Sequence, residues 1–352
     1  MRDTQAPPQT SIGPPPPAPP EGASIEPVLP LPFPLEPRGK ARPSVCVVLP
    51  AFNEEAVLPR TYRVLAETLD ALDVEWTLLF VNDGSRDGTA GVLEQLYRQD
   101  ERVGYLLLSR NFGHQAALTA GLDHANADVV ISMDADLQHP PELLATMLGA
   151  WREGYDVVHT RKLATVGLST RRSLVTRWAY RLISMVAQVD LIEQASDYRL
   201  LDRSVLDALR SLPETGRLYR GLTPWLGFRQ CVLPYVAAER AAGTSQYGLR
   251  QLFGLFTRAL FDFSDVPLHA GLVLGGIAIG LSALYFLYVV VWALVGESTP
   301  PGWASTVSVT LLLNSITLGF LGIIGVYVAR IYNEVRARPT YLLSRVRIRS
   351  GD

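Results

Sequence analysis

Residues 128–138 read DVVISMDADLQ, a short apolar run that changes abruptly into acidic residues. The run is rich in β-branched side chains and has the pattern of a buried strand. Asp134 and Asp136 lie where this strand is predicted to end, and Gln138 follows two residues later. Two carboxylates one residue apart can offer hard oxygen ligands to Mg²⁺ or Mn²⁺, to which the amide would add a neutral oxygen. Alternatively, the acids serve only as turn or cap residues.

Similar apolar runs precede this one, and amphipathic helical patterns separate them. Strands are predicted over 45–49, 76–81, 103–108 and 128–133, and helices over 54–72, 89–97 and 114–125. This alternation predicts a parallel α/β sheet, whose ligands bind beyond the carboxyl ends of the strands. Those ends carry polar residues, which lie within 50–55, 82–85, 109–111 and 134–136. Beyond Val158 the pattern becomes helical.

Composition narrows the class of protein. The formal net charge of −2 gives no strongly basic surface, so nucleic acid is not expected as a partner. Cys46 and Cys231 are too few and too far apart for a disulfide framework or a zinc cluster. Residues 1–42 are crowded with proline and predict a disordered tail. The tail lacks the apolar stretch of a secretory signal, so the domain after it is expected to stay in the cytosol.

Apolar residues are concentrated near the C-terminus. Residues 266–295 and 303–328 contain no Asp, Glu, Lys or Arg, and each exceeds the roughly 20 residues needed to span a bilayer. They predict a two-helix transmembrane hairpin over 266–332, with a buried core hairpin as the alternative. Arginines recur in the tail that follows, whereas the loop between the spans carries only Glu297. The positive-inside rule therefore places both termini and the α/β domain on the cytosolic side of the plasma membrane.

Two further segments mix arginine with apolar residues, at 169–189 and 248–263. Such helices can lie on a membrane surface, although a soluble amphipathic helix has the same pattern. The predicted organisation is a tail at 1–42, an α/β domain at 43–235, interface helices at 236–265, the hairpin at 266–332 and a basic cytosolic tail at 333–352.

Several motifs stand in the order of one known family. They are LPAFNEE at 49–55, VNDGS at 81–85, SRNFGHQ at 109–115, MDADLQ at 133–138, SDYRLLDR at 196–203, PWLGF at 224–228 and ERAAGTSQY at 239–247. With them the chain resembles the family 2 glycosyltransferases of the GT-A fold over residues 44–332. It looks most like the polyisoprenyl-phosphate glycosyltransferases, which include bactoprenol glucosyltransferases and, more distantly, dolichol-phosphate mannose synthases.

The resemblance implies a Rossmann-like, parallel-rich sheet and a role for each matching residue. Implied nucleotide-sugar contacts are Pro50, Phe52, Glu54, Glu55, Asp83 and Asp134; metal ligands are Asp134, Asp136 and Gln138; contacts to donor or lipid phosphate are Arg161, Arg199, Arg203 and Arg240; catalytic residues are Asp136, Asp197 and Arg199. Simpler alternatives are an Asx-turn for Asp83, a first-turn helix acid for Glu55 and solvated surface charges for the arginines. His139 is predicted as a surface histidine, with a place in the metal shell as the alternative.

Asp197 resembles an aspartate proposed as catalytic in such enzymes. A phosphate monoester is already largely ionised near neutral pH, so the acceptor needs positioning and charge compensation more than deprotonation. Asp197 is therefore predicted either as a base or as a residue that orients an arginine. The implied reaction is one in-line displacement at the anomeric carbon, with inversion, in which a metal ion and arginines stabilise the departing diphosphate.

The sugar is not encoded in any motif. The resemblance favours UDP-glucose as donor and undecaprenyl or decaprenyl phosphate as acceptor, and leaves UDP-galactose, UDP-N-acetylhexosamine, UDP-aminoarabinose and GDP-mannose open. A processive polysaccharide synthase would need more helices and a Gln-x-x-Arg-Trp motif, which this sequence lacks. A non-catalytic membrane scaffold is the other alternative, because glycines within 271–280 and 319–325 could pack helices closely. The same glycines predict a homo-oligomer.

Overall fold

The computed structural model describes residues 25–28, 34–162, 195–214, 216–235 and 302–349, with short stretches between 273 and 291. One mixed sheet runs through the described residues. Its strands are β1 Glu26–Pro27, β2 Ser44–Ala51, β3 Glu75–Asn82, β4 Val103–Leu108, β5 Val129–Ser132, β6 Val157–Lys162, β7 Ala195–Asp202, β8 Gln230–Tyr235 and β9 Leu343–Arg347. Their order across the sheet is β1-β8-β6-β7-β5-β2-β3-β4-β9.

The four predicted strands are confirmed as β2 to β5, and they pair in parallel. The sheet as a whole is not parallel, because β7 lies antiparallel between β5 and β6. The predicted change to a helical pattern beyond Val158 is wrong as far as Lys162, since these residues continue β6. Their partners in β7 and β8 are distant in sequence, so the local pattern does not reveal the pairing.

Helices cover both faces of the sheet. The helices that pack on the sheet are α1 Leu58–Asp70, α2 Thr89–Gln99, α3 His114–His124, α4 Leu143–Glu153, α5 Arg203–Ser211 and α6 Tyr219–Trp225. A longer helix, α7 Trp303–Val335, follows them in the chain. Helices α1, α2 and α4 bury side chains in one apolar cluster, and α3, α5 and α6 do so in the other. The predicted start of α1 at Glu54 is too early, because residues 54–57 form a turn in which the Glu54 carbonyl accepts from Val57 and Leu58.

Helix α3 approaches the sheet closely at Gly121. A Cβ added there would lie 2.2 Å from Cγ1 of Val48 on β2 and 3.1 Å from Cγ2 of Val81 on β3. Glycine therefore allows α3 to lie directly on the central strands, which fixes where the N-terminal end of the helix meets the site described below.

Part of the predicted N-terminal tail packs on the domain. Glu26 and Pro27 pair with β8, and Nη1 of Arg38 donates to the carbonyls of Trp151 and Tyr155 at 2.7 and 2.8 Å. The disordered tail predicted for 1–42 is therefore wrong for residues 25–28 and 34–42.

The C-terminal segment also returns to the sheet. Helix α7 contains an apolar segment, Ile316–Val335, with a mean hydropathy of 1.5 and no part buried. Among the described residues this is the one helix long and apolar enough to cross a bilayer, so two spans are not confirmed. Within the predicted basic cytosolic tail at 333–352, residues 343–347 form β9 against the edge of β4, a strand that the sequence analysis did not predict. The predicted interface segments, 169–189 and 248–263, lie outside the described residues.

Replacing Gly121 with alanine should destabilise the domain by about 1–3 kcal/mol, because the added methyl group overpacks the contact with Val48. Gly149→Ala is the matched control, since Gly149 also lies within a helix but has no atom within 4 Å of its added Cβ. That change should be neutral or slightly stabilising. Denaturant unfolding of both variants measures the difference, and equal free energies of unfolding would contradict the packing described.

Candidate active site

The carboxyl ends of β5, β2, β3 and β4 meet at one edge of the sheet, as the sequence predicted. The loops that leave them are tied together by hydrogen bonds. The Asp83 backbone N–H donates to the carbonyl of Ala51 at 3.0 Å, and the Asn53 backbone N–H donates to Oγ of Ser85 at 2.9 Å. Asn53 adopts a left-handed conformation with φ of 57°. The edge is thus a connected set of loops.

Asp83 is buried and holds the loop before α3. Its two carboxylate oxygens accept the backbone N–H groups of Phe112 at 2.7 Å and Gly113 at 2.9 Å. The next residue, Gly84, has φ of 66°, and a Cβ there would lie 2.4 Å from the carbonyl carbon of Arg110. Asp83 therefore supports the loop from which α3 begins, and its predicted contact with a nucleotide stays a prediction.

The other predicted nucleotide contacts lie along the same edge. Pro50 is buried in β2, and Phe52 just beyond it exposes 43% of its surface. Glu55 Oε2 accepts the backbone N–H of Gly88, the residue before α2, at 2.8 Å. Glu55 thus stabilises the N-terminus of α2. The alternative given by the sequence was an acid in the first turn of the helix predicted over 54–72, so the kind of role agrees but the helix differs.

The two acids after β5 are held on a turn with a buried centre. Ala135 between them is 2% exposed, and its carbonyl accepts from Oγ1 of Thr61 at 2.7 Å. Leu137 has φ of 58°, and the backbone N–H of Gln138 donates to Oδ1 of Asp136 at 3.1 Å. Burial of Ala135 leaves the flanking carboxylates on the other side of the turn, where the Asp134 side chain is 39% exposed.

The donor set at this turn suits a hard divalent cation. Burial raises the pKa of Glu54, and nearby negative charges raise it further, that of Asp136 most. Within the described residues, no three His, Cys, Asp or Glu side chains form a ready metal cluster. Mg²⁺ commonly takes only one or two carboxylates and completes its shell with water and substrate phosphate, so two acids suffice. Gln138 meets Asp136 through its amide nitrogen, so its oxygen is not the atom that faces that carboxylate.

His139 is not a surface residue, contrary to the prediction. It is 5% exposed and stacks on the Tyr198 ring with centroids 5.0 Å apart. Its Nδ1 accepts the backbone N–H of Asp134 at 3.2 Å, so Nε2 carries the proton toward Oγ of Ser196 at 2.8 Å. Burial lowers its pKa. His139 therefore supports the turn beneath Asp134.

Asp197 lies next to the acidic turn and is surrounded by donors. Its carboxylate is 9% exposed and accepts from Nη2 of Arg199 at 3.0 Å. Arg220 on α6 makes a bidentate contact, with Nε 3.0 Å from Oδ1 and Nη2 2.8 Å from Oδ2. From the start of α3, Nε2 of His114 lies 3.5 Å from Oδ2, and Nε2 of Gln115 donates to the same oxygen at 3.5 Å.

These partners keep Asp197 ionised. Burial acts to raise its pKa, but hydrogen bonds from His114 and Arg220 and the charge of Arg199 outweigh burial and hold the pKa far below its usual value. The hydrogen bond to Asp197 in turn raises the pKa of His114. A carboxylate with such a low pKa and filled acceptor positions is a poor general base. Of the two predicted roles for Asp197, the geometry favours orientation of an arginine.

The arginine that Asp197 presents to solvent is not the one that the sequence indicated. Arg199 is 1% exposed, and its Nη1 donates to the Tyr219 carbonyl at 2.8 Å and to Oγ1 of Thr223 at 3.0 Å. Its guanidinium is therefore enclosed by protein groups, and its predicted contact with donor or lipid phosphate stays a prediction. The Arg220 side chain is 48% exposed. Its only sequence signal was its position just before the PWLGF motif.

Of the other predicted arginines, the two that the structure describes, Arg161 and Arg203, pair with acids other than Asp197. Arg203 lies at the opposite end of β7, where its Nε bonds to Asp207 of the same helix at 3.0 Å. Arg161 on β6 is paired with Glu26 of β1 at 2.9 Å. Arg240 lies outside the described residues. Arg203 is therefore an exposed ion pair, which was the alternative for each arginine.

A buried polar cluster supports Arg199 from below. His159 on β6 is 1% exposed, and its Nε2 lies 2.8 Å from Oε1 of Gln230. Gln230 in turn donates to the carbonyl of Thr223 at 2.8 Å. Burial and the charge of Arg199 lower the pKa of His159 to about 3, so this histidine is neutral at physiological pH.

The chain is similar in sequence to known glycosyltransferases. Residues 46–210 match the family model described as glycosyl transferase family 2. The chain is 38% identical over 299 residues to the uncharacterized glycosyltransferase YkcC of Bacillus subtilis (strain 168). That alignment covers 85% of this chain and 93% of the relative. Over 303 residues the chain is 33% identical to the bactoprenol glucosyl transferase of Shigella phage SfII, spanning 86% and 97% of the two chains.

A solved structure is similar at a greater distance. Glucosyl-3-phosphoglycerate synthase from Mycobacterium tuberculosis, in complex with Mn²⁺, UDP and glucosyl-3-phosphoglycerate, has a TM-score of 0.42 at 20% identity. The match covers 62% of this chain and 78% of that one. A likeness this distant carries no argument about ligands.

The protonation of His159 should make stability fall in mild acid. Because its folded pKa of about 3 lies below the usual value of 6.5, the unfolded chain takes up a proton that the folded chain excludes as pH falls below about 6.5. This linkage lowers the free energy of unfolding by about 2 kcal/mol at pH 5. Denaturant unfolding at pH 7.5 and at pH 5 measures that decrease, which should be about 2 kcal/mol smaller in His159→Gln than in the unaltered protein. An equal decrease in both proteins would contradict a lowered pKa for His159.

Proposed function

The chain belongs to glycosyltransferase family 2, and from this premise we propose that it transfers a hexose from a nucleotide-sugar to a polyisoprenyl phosphate. Relatives named bactoprenol glucosyl transferase, 33% identical over most of the chain, support a polyprenol phosphate acceptor. Their names also make UDP-glucose the first donor to test. The route of the transfer is proposed below from the side chains at the carboxyl edge of the sheet.

One juxtaposition carries the proposal. The partly exposed acids after β5 and the arginine-containing group around Asp197 lie side by side, with Nε2 of His114 3.8 Å from Oδ1 of Asp134 and 3.5 Å from Oδ2 of Asp197. A transfer between two phosphate-bearing substrates needs such an arrangement, because one set of groups must hold the leaving diphosphate and another the incoming phosphate.

Asp134 and Asp136 would hold a divalent cation at this edge, as their hard oxygen atoms allow. A bound Mg²⁺ or Mn²⁺ neutralises charge on the leaving diphosphate. Pro50, Phe52, Glu54, Glu55 and Asp83 lie on the β2 and β3 side of this pair and form the proposed side for the nucleotide. The exposed Phe52 ring is suited to contact a planar base.

The proposed reaction forms one bond and breaks one. An oxygen of the lipid phosphate attacks the anomeric carbon, and the bond from that carbon to the diphosphate breaks in line, which inverts the configuration. The acceptor oxygen is already ionised near neutral pH, so no proton has to be removed. Asp197 then acts by holding Arg220 and Arg199 in place rather than as a base.

The position of β9 supports an even number of membrane crossings. Strands β8 and β9 belong to one sheet, so Tyr235 at the end of β8 and Leu343 at the start of β9 lie on the same side of any membrane. If α7 crosses once, a second crossing is required between residues 236 and 301. The uncharged segment 266–295 is the proposed second span, and the arginine-rich C-terminus favours the cytosolic side for the domain.

A homo-oligomer remains part of the proposal. Gly319, Gly322 and Gly325 leave open space beside α7, since no described atom lies within 4 Å of a Cβ added at any of them. Small residues allow helices to approach closely in lipid.

Detergent-solubilised protein should transfer labelled glucose from UDP-glucose to undecaprenyl phosphate only when Mg²⁺ or Mn²⁺ is present. Asp136→Asn should reduce the rate by about a hundredfold or more, because a metal ligand is lost. Asp207→Asn, an exposed acid on α5, is the control and should leave the rate unchanged. A panel of other nucleotide-sugars identifies the donor. Transfer that survives chelation of the metal, or no transfer from any donor by folded protein, would contradict the proposal.

The hairpin can be tested with a membrane-impermeant maleimide on intact cells. Ser298→Cys in the predicted loop should react from outside, whereas Ser350→Cys should react only after the cells are permeabilised. Burial raises the pKa of the native thiols, Cys46 to about 11 and Cys231 to about 12, so both should stay unlabelled. Labelling of both introduced cysteines from the same side would contradict two spans.

A further inference from the structure

Residues 341–349, which follow α7, attach to the α/β domain and are called the clasp below. At its start, the Tyr341 hydroxyl donates to Oδ2 of Asp123 on α3 at 3.1 Å. The Tyr341 ring meets the His124 ring edge to face, with centroids 6.2 Å apart. Strand β9 then pairs with β4. The first residue of the clasp is therefore anchored on one helix and the following strand on the sheet.

The far end of the clasp contacts α2. Nη1 of Arg345 lies 3.7 Å from Oε2 of Glu94. The Arg349 guanidinium lies 4.8 Å from the centre of the Tyr97 ring, and its Nη2 donates to the Tyr97 carbonyl at 3.1 Å. The clasp is thus held at both ends, by α3 at Tyr341 and by α2 at Arg349.

The connection between α7 and the clasp is very short. Helix α7 ends at Val335. Ala337 has φ of 47°, and its backbone N–H donates to the Glu334 carbonyl at 3.0 Å. A left-handed residue in this position stops a helix, and Pro339 restricts the backbone further. The chain from Val335 to Tyr341 can extend over at most roughly 20 Å.

We propose that the clasp holds the acidic turn at a fixed height above the bilayer, with Tyr341 as a positioning residue for transfer to the lipid; this inference rests on the proposed function. If α7 crosses the bilayer, residues 336–340 limit how far the domain can tilt or lift away. The other connection, residues 236–265 before the proposed second span, is far longer. The phosphate of a polyisoprenyl lipid stays at headgroup level, because its hydrocarbon chain lies in the bilayer. A closely tethered site therefore meets that phosphate at a higher effective concentration.

The anchor of Tyr341 is connected to the site through α3. Asp123 lies in the last turn of α3, a helix of 11 residues that is about 16 Å long. It also accepts from Nη1 of Arg217, just before α6, at 2.9 Å. His114 begins the same helix and lies between the acidic turn and Asp197. Because α3 packs directly on β2 and β3, the anchor and the site move as one body.

Lengthening the connection tests the clasp without removing it. About ten Gly and Ser residues inserted after Arg338 should lower kcat/KM for undecaprenyl phosphate in lipid vesicles by about fivefold, because effective concentration falls with roughly the 3/2 power of linker length. Hydrolysis of the nucleotide-sugar, and transfer to geranyl phosphate in solution, should change less than about twofold. Unchanged transfer in vesicles, or an equal loss with both acceptors, would overturn the proposal.

The same insertion after Glu297 is the matched control. Glu297 lies in the predicted loop between the spans, so this insertion leaves the connection between α7 and the domain as it was. Transfer to undecaprenyl phosphate should be unchanged. Equal losses in the two insertion variants would show a general disturbance of the membrane segment, and the role of the clasp would fall.

Substitutions at Tyr341 test the anchor itself. Tyr341→Phe removes a hydrogen bond to a carboxylate and should speed amide hydrogen exchange in β9 by about twofold to tenfold. Ser44→Ala is the control, since Oγ of Ser44 donates to Oδ2 of Asp128 at 2.7 Å on β2, which β3 and β4 separate from β9. It should leave β9 exchange unchanged. Tyr341→Ala, which also removes the ring, should lower transfer in vesicles and retain transfer to geranyl phosphate. Unchanged β9 exchange in Tyr341→Phe, or equal losses with both acceptors in Tyr341→Ala, would overturn the assignment of Tyr341.

The two proposals fail differently. If the unaltered protein hydrolyses no nucleotide-sugar and transfers sugar to neither acceptor, the proposed function falls and the clasp falls with it. If the unaltered protein transfers sugar to undecaprenyl phosphate in vesicles and the variant lengthened after Arg338 does so equally well, only the role of the clasp is overturned.

Discussion

An ionised carboxylate inside the domain, that of Asp197, couples the sheet to the two helices that frame the site. A buried charge of this kind costs several kcal/mol unless it is paired and hydrogen-bonded. Its partners come from β7 through Arg199, from α6 through Arg220, and from α3 through His114 and Gln115. The requirement to satisfy one carboxylate therefore fixes where α3 and α6 meet the acidic turn after β5.

This arrangement divides the edge of the sheet by charge. The acids after β5 are partly exposed, and among the described residues the ion-pair partners of Asp134 are His114 and His139. The group around Asp197 contains the guanidinium groups of Arg199 and Arg220. A metal ion with a diphosphate would balance the first side, and a phosphate monoester would balance the second. The proposed transfer of a sugar from a diphosphate to a phosphate rests on this division more than on any single residue.

The sequence predicted those parts of the site that depend on local pattern. The apolar runs that became β2 to β5 end in polar loops, and parallel pairing brings those ends together. It did not predict the burial of Arg199 or the contact of Arg220 with Asp197. Both depend on the insertion of β7 between β5 and β6, a long-range pairing that no local periodicity records. The return of residues 343–347 to the edge of β4 was missed for the same reason.

The most direct measurement is a structure of the full-length protein in a lipid bilayer with Mn²⁺, UDP and undecaprenyl phosphate bound together. The proposed function predicts the metal ion between Asp134 or Asp136 and the diphosphate, and the lipid phosphate on the β7 side of the acidic turn. A lipid phosphate among the loops after β2 and β3, or a metal ion away from both acids, would contradict it.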